Sequence, residues 1–409
     1  MWMRLSGFRG GIATVFLLLA PAVASADVVT QWNEKAIASA TAGGQNPLVV
    51  SRTVAIVHTA MFDAVNSIEK RYAPYAVLVS APSGSSAEAA AVAAAHAVLV
   101  ALLPNQEPEL EAAYAASLSL ISVSGRDAGV AVGQHAAAEI LARRAADGAN
   151  ASKPYRPFTS PGVYVPTTLP LAPHWGEVAP WVMGRGSQFR PGPPPQLTSE
   201  QWATDYNEVR MFGAKRGSAR SAEQTDIGRF WLIVGPASWF PIVRQIADAQ
   251  GRSLIDNARL QALVAIATAD AYIAVFDAKY AYNFWRPITA IRNGDIDGNE
   301  ATSPVADWEP LIDTPPHPEY PCAHCITSST VATILDSEFG AEAIATVTMT
   351  SSAAPGVVRK WNTTREYIEE VSAARIYGGV HYRTSAVAAR EMGRKIAELA
   401  LRERMRPLP

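Results

Sequence analysis

Apolar residues recur at helical spacing along most of the chain. Between Val49 and Ile68, the residues Val50, Val54, Val57, Met61 and Val65 fall on one stripe. Ala87 to Leu103 is almost continuous Ala, Val and Leu, stopped by Pro104. Pro108 to Ile121 and Asp127 to Ala146 carry two more helical patterns. Alanine has the best helix propensity, and Val, Leu and Ile supply the packing stripe, so these segments predict helices joined by short turns. Residues 151–197 break the pattern with Pro154, Pro157, Pro161, Pro166, Pro170, Pro173, Pro180, Pro191 and Pro193-Pro194-Pro195. The aromatic residues between these prolines argue for an ordered, extended crossover rather than a flexible linker. Helices resume at Ser199 to Phe212, with Ser199 as N-cap. The pattern then predicts Ala222 to Val234, Pro241 to Tyr282 broken near Gly251, Ile326 to Phe339, Ile344 to Met349, Arg359 to Ile376 and Ala386 to Met405. No alternating strand series is expected. The predicted fold is all-α, with a helix group over 27–150, the crossover over 151–198 and a second group over 199–409, together one structural unit.

Composition narrows the function classes. With 35 Lys+Arg against 37 Asp+Glu and no basic block, the chain is not expected to bind nucleic acid. Residues 1–26 carry Arg4 and Arg9, an apolar run from Ile12 to Val23 and the small residues Ala24-Ser25-Ala26, the form of a cleaved export signal. The chain is therefore expected to be secreted or periplasmic, with no later stretch long and uncharged enough to span a bilayer. Two cysteines, Cys322 and Cys325, make no disulfide framework. They leave three readings open: a pair of thiols, a local disulfide, or a zinc or redox site.

Three segments of the second half combine cations and histidines. Lys279 and Arg286 are seven residues apart, nearly two helical turns, and Pro287 places Arg286 at a helix end. His317-Pro-Glu-Tyr-Pro-Cys-Ala-His324 feeds a Pro-rich backbone into a helix, whose first N–H groups are unpaired and attract anions. Arg375 and His381 flank Gly378-Gly379, which allows a break that brings them to one point. Each segment alone also reads as a solvated face, a capped turn or a helix end. Together, three cations and two histidines make a cradle for a tetrahedral oxyanion. His58, His96, His135 and His174 have no such company and read as structural.

These segments resemble, in order and spacing, the pattern Lys-x6-Arg-Pro, Pro-Ser-Gly-His, Ser-Arg-x5-His-x3-Asp. That pattern belongs to the vanadium-dependent haloperoxidases and, in the same superfamily, type 2 phosphatidic acid phosphatases and bacterial acid phosphatases. Trp32-Asn33, the run from His58 to Asn66, and Phe284-Trp285-Arg286-Pro287 extend the likeness towards the soluble bacterial haloperoxidases. The resemblance implies two packed helical bundles of the haloperoxidase type holding one vanadate per chain, or phosphate in its place. It implies that His381 binds vanadium, that Lys279, Arg286 and Arg375 with Cys322 and the Ala323 N–H hold the oxygens, and that His324 is the acid/base. Hydrogen peroxide, halide and a small organic acceptor would be the reactants. His317 and Phe276 would be halide-site candidates, with bromide or iodide favoured over chloride, and association into a homo-oligomer is left open. The departures are Cys322 for serine, Ala323 for glycine, Ala374 for serine and Ser385 for aspartate. With no aspartate at 385, a hydroxyl or backbone carbonyl is expected to orient His381. An acid phosphatase with His381 as nucleophile, and an oxyanion-binding protein impaired in turnover, are the alternatives.

Overall fold

The computed structural model describes residues 27–341 and 346–409, so residues 1–26, expected to be an export signal, lie outside the described residues. The alanine-rich half forms α1 (Val28–Ala42), α2 (Pro47–Glu69), α3 (Ala87–Leu102), α4 (Glu107–Ser119) and α5 (Arg126–Arg144). Small side chains let α3 and α5 approach closely, since a Cβ at Gly133 would fall 2.2 Å from the Ala90 carbonyl oxygen. The second half holds α6 (Glu200–Phe212), α7 (Ala222–Phe230), α8 (Phe240–Ala249), α9 (Leu254–Tyr282), α10 (Pro287–Arg292), α11 (Ala323–Phe339), α12 (Thr364–Tyr377) and α13 (Arg383–Glu403). Apart from Ile344 to Met349, the predicted helices recur within a few residues at their ends, and the described residues are helical with one β-hairpin. α9 is central, packing on α2 of the first group and on α11 and α13 of the second. A large apolar core draws on residues from Val29 to Met405, and a smaller aromatic cluster gathers Trp202, Tyr206, Trp285 and Tyr382 beside it.

The hairpin corrects the sequence reading. Residues 347–349, expected to be helical, lie in β1 (Val347–Ser351), and Arg359 to Trp361 end β2 (Ala354–Trp361), antiparallel to it. Val347, Met349 and Ser351 face inward while Thr348 and Thr350 face out, the two-residue alternation of a half-buried strand. Trp361 packs on Phe230, Trp231 and Tyr367, and Arg359 ties β2 to Glu370 of α12.

A second correction concerns hydrophobicity. α2 and α9 are long and apolar enough to cross a bilayer, contrary to the expectation above, and 89% and 94% of their most apolar windows are buried inside the protein. Each carries one deeply buried carboxylate. Asp63 of α2 accepts the N–H groups of Tyr75, Ala76 and Val77 at 2.7–2.9 Å. Asp270 of α9 accepts those of Trp181, Val182 and Met183 over the same range. The first anchors the loop after α2, and the second anchors the Pro-rich crossover, which Tyr280 also holds through the Leu171 carbonyl at 2.6 Å.

Burial raises both carboxyls from 3.8 to about 6 despite the opposing N–H bonds. A raised folded-state value means that protonation favours the folded chain. Each group's contribution is complete below pH 3.8 and is lost as pH rises through about 6. Asp270→Asn should therefore remove one titration, changing the stability difference between pH 4 and pH 7 by about 3 kcal/mol. Urea unfolding across that range checks this, and an unchanged pH profile in the variant would contradict it.

Candidate functional site

The three motifs meet. α9 ends at Tyr282, where Asn283 takes a left-handed conformation (φ 49°) and donates its N–H to the Lys279 carbonyl. Lys279 and Arg286 are therefore not on one continuous helix, and the spacing argument gives the right neighbours for the wrong reason. Arg286 instead caps α10 from extended backbone ahead of Pro287, as the proline demands. The loop before α11 delivers His317, Glu319 and, on the first turn of the helix, Ala323 and His324. α12 stops at Tyr377, and Gly379 turns the chain with φ +76°. A Cβ there would fall 2.5 Å from the Gly213 carbonyl oxygen, so both conformation and space require glycine. The turn lets the N–H groups of Val380 and His381 reach the Arg375 carbonyl, which folds His381 back beside Arg375.

Charge in this cluster is unbalanced. Lys279, Arg286 and Arg375 are at most 2% exposed, and the fully buried Glu319 is the carboxylate that acts on Lys279 and Arg286, while Arg375 feels the repulsion of Arg286. Burial lowers Lys279 well below its ordinary value, Arg286 to about 10 and Arg375 to about 9. Burial raises Glu319 to about 7 against the pull of Arg286 and Lys279. An excess of buried cations is costly unless an anion joins them.

Hydrogen bonds fix the proton positions. A guanidinium can only donate, so Arg286 Nη1, 3.2 Å from His381 Nε2, faces a lone pair. The ring proton of neutral His381 then sits on Nδ1, 2.7 Å from Glu319 Oε1. The same oxygen accepts the Tyr382 N–H at 3.0 Å. His317 Nδ1 lies 2.9 Å from Arg286 Nη2, which can only donate, and 3.2 Å from the Pro318 carbonyl oxygen, which can only accept; the shorter, charge-assisted contact makes Nδ1 the acceptor and leaves the proton on Nε2. His324 Nε2 lies 3.1 Å from the Ile233 carbonyl oxygen, which can only accept, so its lone pair is on Nδ1. Burial, together with the neighbouring cations, holds all three histidines well below their ordinary pKa and therefore neutral.

A cavity of about 370 Å³ opens onto this cluster. His317, Ala323, His324, Arg375 and His381 form its polar end, and Leu171, Leu232, Val234, Phe276 and Ile312 its apolar walls. Phe276 and His317 pack together there, with ring centroids 5.2 Å apart. Arg375 is held through Nη1 by the Trp231 carbonyl at 2.9 Å, whereas its buried Nε has no partner. The first N–H groups of α11, at Ala323 and His324, lack intrahelical acceptors.

Lys279 and Arg286, expected from the resemblance to hold the oxygens, do not line this cavity, although Arg286 Nη1 stands 3.2 Å from His381 Nε2. Lys279 Nζ gives its protons to the carbonyls of Pro318, Glu319 and Pro321, and Arg286 bonds the His317 and Val380 carbonyls at 2.9 and 2.7 Å. Cys322 and Cys325 are joined in a disulfide, so Cys322 has no S–H to offer an oxygen, and its expected part in oxyanion binding falls away. The expectation that a hydroxyl or carbonyl orients His381 is also corrected, because Glu319 does so. The sequence signal was available: a lone acid between two prolines and a histidine in an apolar loop. His58 is structural, paired with Asn33 at 2.7 Å and stacked on Phe240.

Fold and geometry define a helical protein with a buried cation-and-histidine cluster at the end of an apolar channel. Residues 259–408 match the family model of the second helical-bundle domain of VCPO. The chain is 25% identical over 303 residues to vanadium chloroperoxidase from Curvularia inaequalis, which covers 58% of this chain. The chain spans about half the length of that curated relative. Among solved structures, a bacterial vanadium-dependent iodoperoxidase shares the fold with a TM-score of 0.79 at 23% identity, over 93% of this chain and 96% of the other. A holo-type bacterial vanadium-dependent chloroperoxidase does so with a TM-score of 0.67 at 18% identity, over 93% of each chain. The likeness to the vanadium haloperoxidases expected from three short motifs is thus matched by a family model over residues 259–408, and the fold of the bacterial enzymes recurs over nearly the whole chain.

Proposed function

We propose that the protein is a vanadate-dependent haloperoxidase, oxidising bromide or iodide with hydrogen peroxide to a hypohalous species. One observation carries this reading: a neutral imidazole lone pair on His381, set among excess buried cations beside the unpartnered Arg375 Nε, at the floor of a cavity. This donor set fits a tetrahedral oxyanion, with His381 Nε2 as ligand and Arg375 and the α11 N–H groups as donors to its oxygens. Vanadate, one per chain, would supply Lewis-acid activation of peroxide without a change in its own oxidation state.

The remaining work falls to the chain. His324 presents Nδ1 as a base for a peroxide proton, because its other nitrogen is committed to Ile233. Arg286 and Lys279 act from behind, fixing His317, His381 and the Pro318–Pro321 backbone while adding positive potential. His317, with Nε2–H free and Phe276 alongside, offers a soft, partly apolar seat suited to a large halide. The apolar walls suit a small organic acceptor. The Cys322–Cys325 disulfide supports an oxidising compartment, secreted or periplasmic.

The test uses the chain from Asp27 with orthovanadate. Peroxide-dependent bromination of a phenolic dye, requiring vanadate and exceeding chlorination, is the expected result. Phosphate-ester hydrolysis without vanadate, in place of bromination, would assign the pocket to a phosphatase instead.

A further inference from the structure

Position 385 holds serine where the superfamily pattern has the aspartate that sets the metal-binding histidine's ring. The structure shows what replaces it. Glu319 comes from a different motif and reaches His381 Nδ1 at 2.7 Å, while its Oε1 also takes the Tyr382 N–H. Ser385 lies on the first turn of α13 and is 1% exposed, and its hydroxyl has no hydrogen-bond partner. Glu319 Oε2 is also buried without a partner. The Ser385 hydroxyl nevertheless faces the Glu319 carboxylate closely enough to lower its pKa as a hydrogen-bond donor does. Both groups therefore border the same buried space next to His381.

We propose that Glu319 is the positioning residue of His381, and that it excludes an acid at 385: one carboxylate, from either motif, directs the Nε2 lone pair toward the oxyanion. Two carboxylates in this space would repel or would have to share a proton. Glu319 therefore accounts for the serine at 385 as a matched change rather than a loss. The acceptor on Nδ1 fixes the tautomer and raises the ligand's basicity, as outer-shell partners of ligating histidines do. The inference rests on His381 being the oxyanion's ligand only where binding is measured, and the tautomer itself can be read without any ligand.

The experiment compares four forms of the chain from Asp27: wild type, Glu319→Ala, Ser385→Asp and the double variant. Nitrogen-15 NMR of labelled histidine, without vanadate, reads the His381 tautomer, assigned by its loss in His381→Gln. Calorimetry with inorganic phosphate reads affinity. Wild type should show neutral His381 protonated on Nδ1. Glu319→Ala should lose that single tautomer and weaken phosphate binding roughly 10- to 100-fold. Ser385→Asp alone should also weaken binding, through the second acid. The double variant should regain the Nδ1–H tautomer and bind within about threefold of wild type, as expected when one removes the conflict the other creates.

An Nε2–H tautomer in wild type would overturn the proposal, with no variant needed. So would a double variant no better than Glu319→Ala. If the tautomer follows the predicted series while wild type binds neither phosphate nor orthovanadate, the positioning role stands and the proposed function falls.

Discussion

His381→Ala should reduce vanadate-dependent bromide oxidation by roughly three orders of magnitude or more, the scale seen when a group that acts as part of a unit is removed. Arg286, Lys279 and Arg375 can only donate, and His324 and His317 each have one ring nitrogen engaged with a protein group. His381 differs in where its lone pair sits: Nε2 lies among the cations, 3.2 Å from Arg286 Nη1, and Nδ1–H is held by the Glu319 carboxylate, so an oxyanion would exchange the Arg286 contact for a bond to Nε2. Deleting it removes the ligand but keeps the cationic surroundings, so residual phosphate binding should survive in weakened form. The imidazole is 1% exposed, and its loss leaves the Arg286 Nη1 bond to the Val380 carbonyl intact. The variant should remain folded by circular dichroism. Bromination within tenfold of wild type would place the oxyanion's ligand elsewhere.

Arg286→Ala should cost more in stability than any other change at the site. One guanidinium bonds the carbonyls of His317 and Val380 and the acceptor nitrogens of His317 and His381. It therefore ties the loop before α11 to the turn after α12, across 31 and 95 residues of sequence. Truncation strands four buried acceptors and removes a cation that steadies Glu319. Breaking such a buried network by removing one member costs about 3–5 kcal/mol. Urea denaturation should show a lower midpoint with an unchanged slope. A loss under about 1 kcal/mol would mean that the network is replaceable by water. Arg286→Lys should recover little, because an ammonium cannot span the forked set of acceptors.

What the sequence disclosed, and what it hid, follows from the range of each interaction. The alanine-rich helices were legible because propensity and a 3.6-residue period are local. The turn at Gly379 was legible because paired glycines between an arginine and a histidine had a steric purpose, which the left-handed backbone at Gly379 confirms. β1 was missed although Val347, Met349 and Ser351 alternate with threonines, because five residues beside a masking alanine-rich run give little periodic signal. The hairpin matters to the site at one remove: Trp361 packs Trp231, whose carbonyl holds Arg375.

Glu319 was missed for another reason. Motif comparison asks what stands at each motif position, and at 385 the answer was an absence. The carboxylate that fills the role is 62 residues away from His381 in sequence, within a segment read for its histidines. The spacing of Lys279 and Arg286 shows the opposite case. Their neighbourhood was right, but the continuous helix assumed between them ends at Tyr282. The pocket arises from two helix termini and a proline rather than from one helical face.

The most direct measurement is a crystal structure of the chain from Asp27 grown with orthovanadate. Vanadium is expected bonded to His381 Nε2, with oxygens on Arg375 and the N–H groups that open α11, and His324 across the cavity from the ligand. Vanadium elsewhere, or His381 still bonded through Nε2 to Arg286 with the cavity empty at saturating orthovanadate, would contradict it.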